Sequence, residues 1–581
     1  MHFPSDAHVQ CCPLRYRPKR IARHSRFECS IERVTMLRNA IFCSGILASL
    51  AIGIAEAQET ASAGSTLKAE ATEAMKRAAA YYYNNVATHG GYVYHYSLDL
   101  KERWGEGRAT PDQIWVQPPG TPTVGMAYLK AYQATDDAFF LQAAVDAARA
   151  LAYGQLESGG WTNCIDFNPR GERSAKYRNG RGNGKNYSSL DDGQTQAALQ
   201  FMIATDKALG LKADDIHQSA IIGLDALLAA QFPNGGFPQV WDGPVEARPV
   251  KPARYPDHDW RTEGRVKAYW EMYTLNDNVT GYVARTLIEA DRAYDDPRPK
   301  KALRKLGDFL LLAQMPEPQP GWAQQYNQEM QPIWARKFEP PGVSGDETQE
   351  VIETLLTIHT VTGDRKYLQP IPSALDWLER SQLPDGRLAR YYELKTNRPL
   401  YMTRRGDTYS LTHDDSNLPS HYGWKTASRI DLLRDQYKRH SAAGASVAMT
   451  KEGIPTREEL ESILDQLDDQ GRWVSVYGGE RLIGQAKMTP GSPYLASAVF
   501  SQNLSRLANY VLNVERADST SQSRTWHDRT GKFSIEAELI QVQDAIAKLR
   551  RADGKIVTVP IDQLSDADQQ ILKSTSADAH R

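Results

Sequence analysis

Carboxylates, and after them arginines, stand at matching places along this 581-residue chain. Asp191 and Asp192 lie side by side in SSLDDGQT, and Asp277 lies between Asn276 and Asn278 in YTLNDNVTG. Arg336 and Glu339 lie in PIWARKFEPPGVSGDE, and Arg390, Arg398, Arg404 and Arg405 lie in and just before YYELKTNRPLYMTRRGD. An earlier junction holds Trp115, Gln117 and Pro118-Pro119. A carboxylate just ahead of a helix can serve merely as an N-cap, satisfying free backbone N–H groups. That explains one acid. Equivalent slots in successive repeats, filled by carboxylates and then arginines, point instead to a site that the repeats share.

Two loops bring further charge towards these junctions. NPRGERSAKYRNGRGNGKN precedes Asp191, and EARPVKPARYPDHDWRTEGRVK, with Tyr255 and Trp260, precedes Asp277. Aromatic faces beside guanidinium forks suit an acidic carbohydrate. Single-stranded nucleic acid would suit the same mix, and either loop alone could be a solvated charged surface. The 69 Lys and Arg nearly balance 71 Asp and Glu, so any charge-driven binding is local.

The elements that must position these residues repeat. QFPNGGFPQVW, Gln231 to Trp241, is a turn followed by strand-forming residues. Variants recur at Gln155 to Phe167, Ala313 to Tyr326 and Ser381 to Tyr392, with a fainter one near Gly90. Between them the apolar spacing predicts helical pairs: to either side of Thr135-Asp136-Asp137, from Gly193 to Gln231, from Asn278 to Gln314, and from Gly345 to Gln382. An opening helix ends in Tyr81-Tyr82-Tyr83. The long, regular repeat favours a mainly α fold, a toroid of helical hairpins, over one four-helix bundle, with an open solenoid as the alternative. In either, the junctions gather at one end.

Residues 1–35 read as a leader outside the mature protein, and 36–57, with a basic start, an apolar run and small residues at Ala55 and Ala57, as a cleaved signal peptide. The expectation is a secreted or periplasmic protein without stable membrane insertion, since the apolar run is short for a span. Cys11, Cys12, Cys29 and Cys43 would be lost, leaving Cys164 and no internal disulfide. The toroid is expected over 66–513. A Ser/Thr/Gln-rich linker at 514–524 then leads to a small β domain over 525–575, with a hairpin at Ala552-Asp553-Gly554-Lys555 and a helix from Ser565.

The fragments LDDGQT, AAQFPNGGFPQVW, YTLNDNVTG, IWARKFEPPGVSGDE, LARYYELKTNRPLY and HYGWKTA, in that order, resemble the signature of the family 10 polysaccharide lyases, the pectate lyases. The likeness runs roughly from Leu67 to Asn513. It implies an (α/α)3 toroid and calcium-dependent β-elimination of polygalacturonate, an acidic polysaccharide rather than a nucleic acid. On these fragments it places Asp191 and Asp277 at the Ca²⁺ and substrate carboxylate, and Arg336 as the base. Arg390, Arg398 or Arg405 would be a second, substrate-neutralising arginine, with Asn276, Trp115 and Gln117 also at the substrate. LDDG stands where Asp-Asn-Gly is expected, which makes Asp192 a rival to Asp191. The segment from Trp241 to Glu271 is longer than the resemblance implies.

The chemistry agrees. Removing the C5 proton of a uronate requires stabilising charge that builds on its carboxylate, as Ca²⁺ and arginine can do, and aspartates are hard oxygen ligands suited to Ca²⁺. Two other functions fit the same residues: a uronyl glycoside hydrolase using Asp191 and Asp277 as its acid pair, or a non-catalytic polysaccharide-binding protein. The tail resembles the SLA1 homology 1 domain, an SH3-like β-barrel, through Trp526 to Gly531 (W-x-D-x-T-G) and Val559 to Ser565 (V-P-I-x-x-L-S). This implies a possible protein partner.

Overall fold

Helices pair along the chain as the spacing predicts, and their capping residues explain where they turn. A computed structural model describes residues 66–262, 265–443, 453–521, 524–543, 545–551 and 555–577. The expected leader, signal peptide and their four cysteines, and Ala552-Asp553-Gly554 of the expected hairpin, lie outside these residues. Helix α1 (66–81) is followed by α2 (Thr121–Thr135) and α3 (Ala138–Tyr153), and these two meet where Asp136 turns left-handed and Asp137 caps the Phe139 N–H. Next come α4 (Gln194–Ala208) and α5 (Asp214–Ala229), then α6 (Val279–Ala293) and α7 (Pro297–Ala313). The last of these starts on an Asp296 cap with proline in its first turn, where a missing N–H costs nothing. Helices α8 (Gly345–Thr362) and α9 (Ile371–Arg380) form a fourth pair, separated by Gly363 in the left-handed C-cap conformation.

The helices form two layers. In the inner one, α2, α4, α6, α8 and α10 (Ile430–Ala443) pack each on the next, and, after the short α11 (Arg457–Asp465), α12 (Ser497–Ser521) packs back on α2. Their shared faces are rich in small and branched residues, such as Val124, Ala127 and Ala131 on α2 and Val283, Ala284 and Leu287 on α6. Helices α3, α5 and α7 pack in sequence outside them. Among the described residues no helix is long and apolar enough to cross a membrane.

Each hairpin is clasped at one end by a strand pair. The strand before α2, Gln113–Trp115, pairs with Cys164–Asp166 after α3. The same holds for Ser188–Ser189 with Val240–Trp241, Tyr273–Thr274 with Gln325–Tyr326, and Val343–Ser344 with Tyr391–Tyr392. The glycine loops make these clasps possible. Gly235 has φ +96°, and a Cβ there would lie 1.9 Å from the Lys305 carbonyl oxygen. A further clasp joins the two ends of the domain, His95–Ser97 pairing with Pro493–Ala496 just ahead of α12.

The C-terminal region departs from expectation twice. Of the stretch read as a linker, 514–521 is helical, as α12 continues to Ser521, and Arg524 opens a strand, while 522–523 lie outside the described residues; Ser and Thr cost a helix only tenths of a kcal/mol each. Beyond it, Arg524–His527, Ser534–Gln543, Ile546–Arg551 and Ile556–Pro560 form an antiparallel meander with its own core of Trp526, Leu539, Leu549 and Leu572. Among the described residues its outer strands do not pair with each other, so the expected closed barrel is an open sheet, followed by α13 (Asp566–Ala577). Buried Asp568 ties the two together, accepting from Arg524 Nη2 (2.6 Å), the His527 N–H (2.8 Å) and Ser565 Oγ (2.8 Å).

Candidate active site

The residues singled out by the junctions follow directly on the clasps. After Ser188–Ser189 the chain makes a tight turn, Asp191–Gly193, and after Tyr273–Thr274 another, Asn276–Asn278; the two turns pack together. In each, the middle residue is left-handed, Asp192 at φ 46° and Asp277 at φ 51°. Aspartate tolerates this conformation better than most residues.

Amides hold the carboxylates. Gln239 Nε2 donates to Asp191 Oδ1 at 2.7 Å, Gln117 Nε2 donates to Asp192 Oδ2 at 3.0 Å, and Asn276 Nδ2 donates to Asp277 Oδ2. Neutral donors cannot cancel charge, and the acids feel one another. Burial, then the charge of Asp277, push the Asp191 carboxyl up to about 6, while Arg336 and Gln239 oppose. Burial, Asp277, Asp191 and Glu106 push Asp192 up to about 7. Burial also raises Asp277, against Arg390 and Arg336.

Of Arg390, Arg398 and Arg405, it is Arg390 that reaches this group. Its Nη2 lies 3.5 Å from Asp277 Oδ1, 3.2 Å from Asn276 Oδ1 and 3.2 Å from Glu347 Oε1. Its guanidinium lies 4.8 Å from the centroid of the Tyr422 ring. Arg398 and Arg405 are exposed on the adjoining hairpin, Arg405 opposite Thr408 near its tip. Arg336 Nη2 donates to Glu339 Oε1 at 2.6 Å, and Tyr422 Oη donates to the same oxygen at 3.0 Å. Burial works to lower the proton affinity of Arg336, but the bond to Glu339 and its charge outweigh it and hold the guanidinium above the ordinary arginine range.

Asp191, Asp277 and Arg336 are thus within reach of one another's charge, and Arg390 reaches Asp277, with Asp192, Asn276 and Gln117 beside these aspartates. Trp115 is a correction: it is fully buried, with Arg173 5.1 Å from its ring centroid and Gly105 against its face, so it underlies the site and offers substrate no surface. Sequence reasoning missed Gln239, Gln324, Glu347, Tyr391 and Tyr422. Tyr391 and Tyr422 share a 2.8 Å hydroxyl contact, and Tyr391 donates to Gln324. Tyr422 already stood in the fragment HYGWKTA, but nothing in its spacing marked it as polar support for Glu339.

For a cation, the donor chemistry fits: Asp191, Asp192 and Asp277 offer carboxylate oxygens, the hard ligands that Ca²⁺ takes. Their proton affinities are raised first by burial, with the neighbouring acids adding to it and Arg336 opposing. Among the described residues no three acidic, His or Cys side chains are close enough to form a cage alone, so substrate and water oxygens would have to complete the coordination.

The clasped ends of successive helical hairpins thus carry aspartates and arginines close together. Residues 155–389 match the family described as Pectic acid lyase, and residues 515–579 match SLA1 homology domain 1, SHD1. These two stretches are thus similar to a pectic acid lyase and, behind it, to an SLA1 homology domain 1. The comparison with curated proteins finds no match. Among solved structures, a family 10 polysaccharide lyase from Cellvibrio cellulosa is 20% identical, with a TM-score of 0.39, over 55% of this chain and 96% of that one. A mutant of it in complex with trigalacturonic acid is 19% identical, also at 0.39, over 54% and 98%. The cellobiose 2-epimerase of Spirochaeta thermophila is 13% identical, at 0.38, over 78% and 98%.

Proposed function

We propose that this is a secreted or periplasmic pectate lyase that cleaves polygalacturonate by Ca²⁺-assisted β-elimination. The observation that carries the reading is that the turns bearing Asp191 and Asp277, far apart in sequence, pack together, with Arg390 3.5 Å from Asp277 and the charge of Arg336 felt by both aspartates. The return of α12 to α2 supports an (α/α)3-type toroid over an open solenoid.

In this reading Asp277, with Asp191 or its rival Asp192, would hold Ca²⁺ against the uronate carboxylate. Bound there, the ion supplies charge that makes the neighbouring C5 proton more acidic. Arg390 meets the substrate carboxylate; its partners Asp277, Asn276 and Glu347 fix it before substrate arrives, so little ordering is left to do on binding. Arg336, as the neutral guanidine, takes the C5 proton; the C4–C5 double bond forms as the C4–O bond breaks, and the leaving oxygen takes a proton from solvent water. Glu339 sets a condition on this step. Its contact keeps Arg336 protonated, so a neutral guanidine becomes available only at high pH, and an alkaline optimum follows. The same contact favours a second reading, in which Arg336 stays charged and only clamps the uronate.

Polygalacturonate incubated with and without Ca²⁺ tests the proposal. A lyase yields unsaturated ends that absorb ultraviolet light and stops in EDTA. Saturated products that ignore EDTA would mark a hydrolase, and retention of polymer without shortening would mark a binding protein. The C-terminal domain is proposed to bind a protein partner.

A further inference from the structure

The long segment between Trp241 and Glu271 is anchored along its length. The Ala253 N–H donates to the Leu312 carbonyl at 2.7 Å, the Arg254 N–H to that of Met330 at 3.0 Å, and Tyr255 Oη to that of Pro316 at 3.0 Å. Trp260 is buried, and Arg261 Nη2 lies 2.7 Å from Glu393 Oε1. A chain held at so many points cannot be treated as a solvated loop.

Its final limb runs to the carboxylates. The Val266 N–H donates to the Trp334 carbonyl at 3.1 Å, two residues from Arg336. Tyr269–Glu271 then form one tight turn. The Trp270 carbonyl accepts from the Gln239 N–H at 2.9 Å, and Gln239 is the residue whose side chain holds Asp191. The Tyr269 carbonyl accepts from Gln325 Nε2 at 3.4 Å. The two rings meet edge to face with centroids 5.2 Å apart. Trp270 remains 37% exposed, and Arg265 and Lys267 beside it are exposed too. The turn that carries Tyr269 and Trp270 is thus pinned by its backbone to the residue that holds Asp191, with exposed Arg265 and Lys267 in the same limb.

We propose that the 265–271 limb is a subsite for one uronate residue of the polymer, with the sugar's C–H face on Trp270 and its carboxylate met by Arg265 or Lys267. Pyranose C–H bonds suit an aromatic face, and two exposed cations suit a carboxylate without the cost of burying it. The inference rests on the acidic-polysaccharide reading of the adjoining cleft.

Calorimetry of the full chain with hexagalacturonate and with its methyl ester tests it. W270A is expected to weaken both roughly tenfold, and W270F to restore most of the loss. R265Q/K267Q is expected to weaken the acid roughly tenfold and the ester less than about twofold. Unchanged binding by W270A overturns the subsite, and equal losses for acid and ester in R265Q/K267Q overturn its uronate preference. If the wild-type protein makes no unsaturated product but these binding differences are found, the lyase reading falls and the subsite stands.

Discussion

Asp192 and Asp277 occupy the same backbone position in successive repeats. Each is the middle, left-handed residue of a tight turn that follows a two-residue strand, at φ 46° and φ 51°. Asp191 then corresponds to Asn276, which bonds to Asp277 and Arg390. Repeat geometry thus pairs Asp277 with Asp192, whereas the sequence fragment pairs it with Asp191.

D277N and D192N are expected to reduce Ca²⁺-stimulated turnover by about 100-fold, and D191N by about tenfold through loss of support. Ca²⁺ titrations of turnover for the three variants decide it. A large shift in D191N with none in D192N would return the ligand role to Asp191.

Arg336→Ala should still retain polymer but lose turnover by several orders of magnitude, since binding arises from many other contacts while the proton has no other acceptor. Arg336→Lys keeps the charge without the planar fork. A positioned base leaves the lysine variant almost inactive in the ultraviolet assay. Near-normal turnover across the alkaline range would leave Arg336 as a clamp only.

Glu339→Gln bears on the same question through pH. Glu339 raises the proton affinity of Arg336, so removing its charge lowers that affinity and brings the neutral guanidine within reach at lower pH. The alkaline optimum of kcat should therefore move down. An optimum that stays in place while activity falls would argue that Arg336 never loses its proton.

Acid sensitivity should arise far from the cleft. The His359 and His440 Nδ1 atoms lie 3.0 Å apart, and burial, then the charges of His359 and Arg439, hold His440 down at about 4, against 6.5 for a free histidine. The unfolded chain takes up this proton below 6.5 and the folded one does not, so stability is full above 6.5 and is lost as pH falls towards 4. His440→Gln should flatten the dependence of Tm on pH in that window. An unaltered slope would assign the acid sensitivity to other groups.

Asp568→Ala should destabilise the C-terminal domain by about 2 kcal/mol or more, because three donors around a buried carboxylate lose their acceptor. Calorimetric unfolding of the full chain should show one transition move while turnover on polygalacturonate is kept. Loss of turnover would show that the two cores depend on each other.

The hairpins were legible because apolar spacing and glycine turns are local: Gly193, Asn278 and Gly345 mark helix starts to within a residue. Choosing Arg390 from three arginines was not possible from sequence. That depends on which residue precedes the strand Tyr391–Tyr392, whose partner Val343–Ser344 lies nearly 50 positions earlier. Trp115 failed for a related reason, since an aromatic at a junction can face the cleft or the core, and Gly105 lets this one pack inward. In the tail, the polar composition of 514–521 hid a helix because composition reports solvation rather than conformation.

The pairing of His95–Ser97 with Pro493–Ala496 affects how the molecule is made. A strand synthesised among the first must wait for its neighbour until almost the whole lyase domain has left the ribosome. Hairpins can form as they emerge, but the two ends of the domain have no contact until then, and joining them is a late, long-range step of the kind that slows folding. A circular permutant that joins the two ends of the domain and opens one of the outer turns should keep the two aspartate turns packed together while bringing these strands together early.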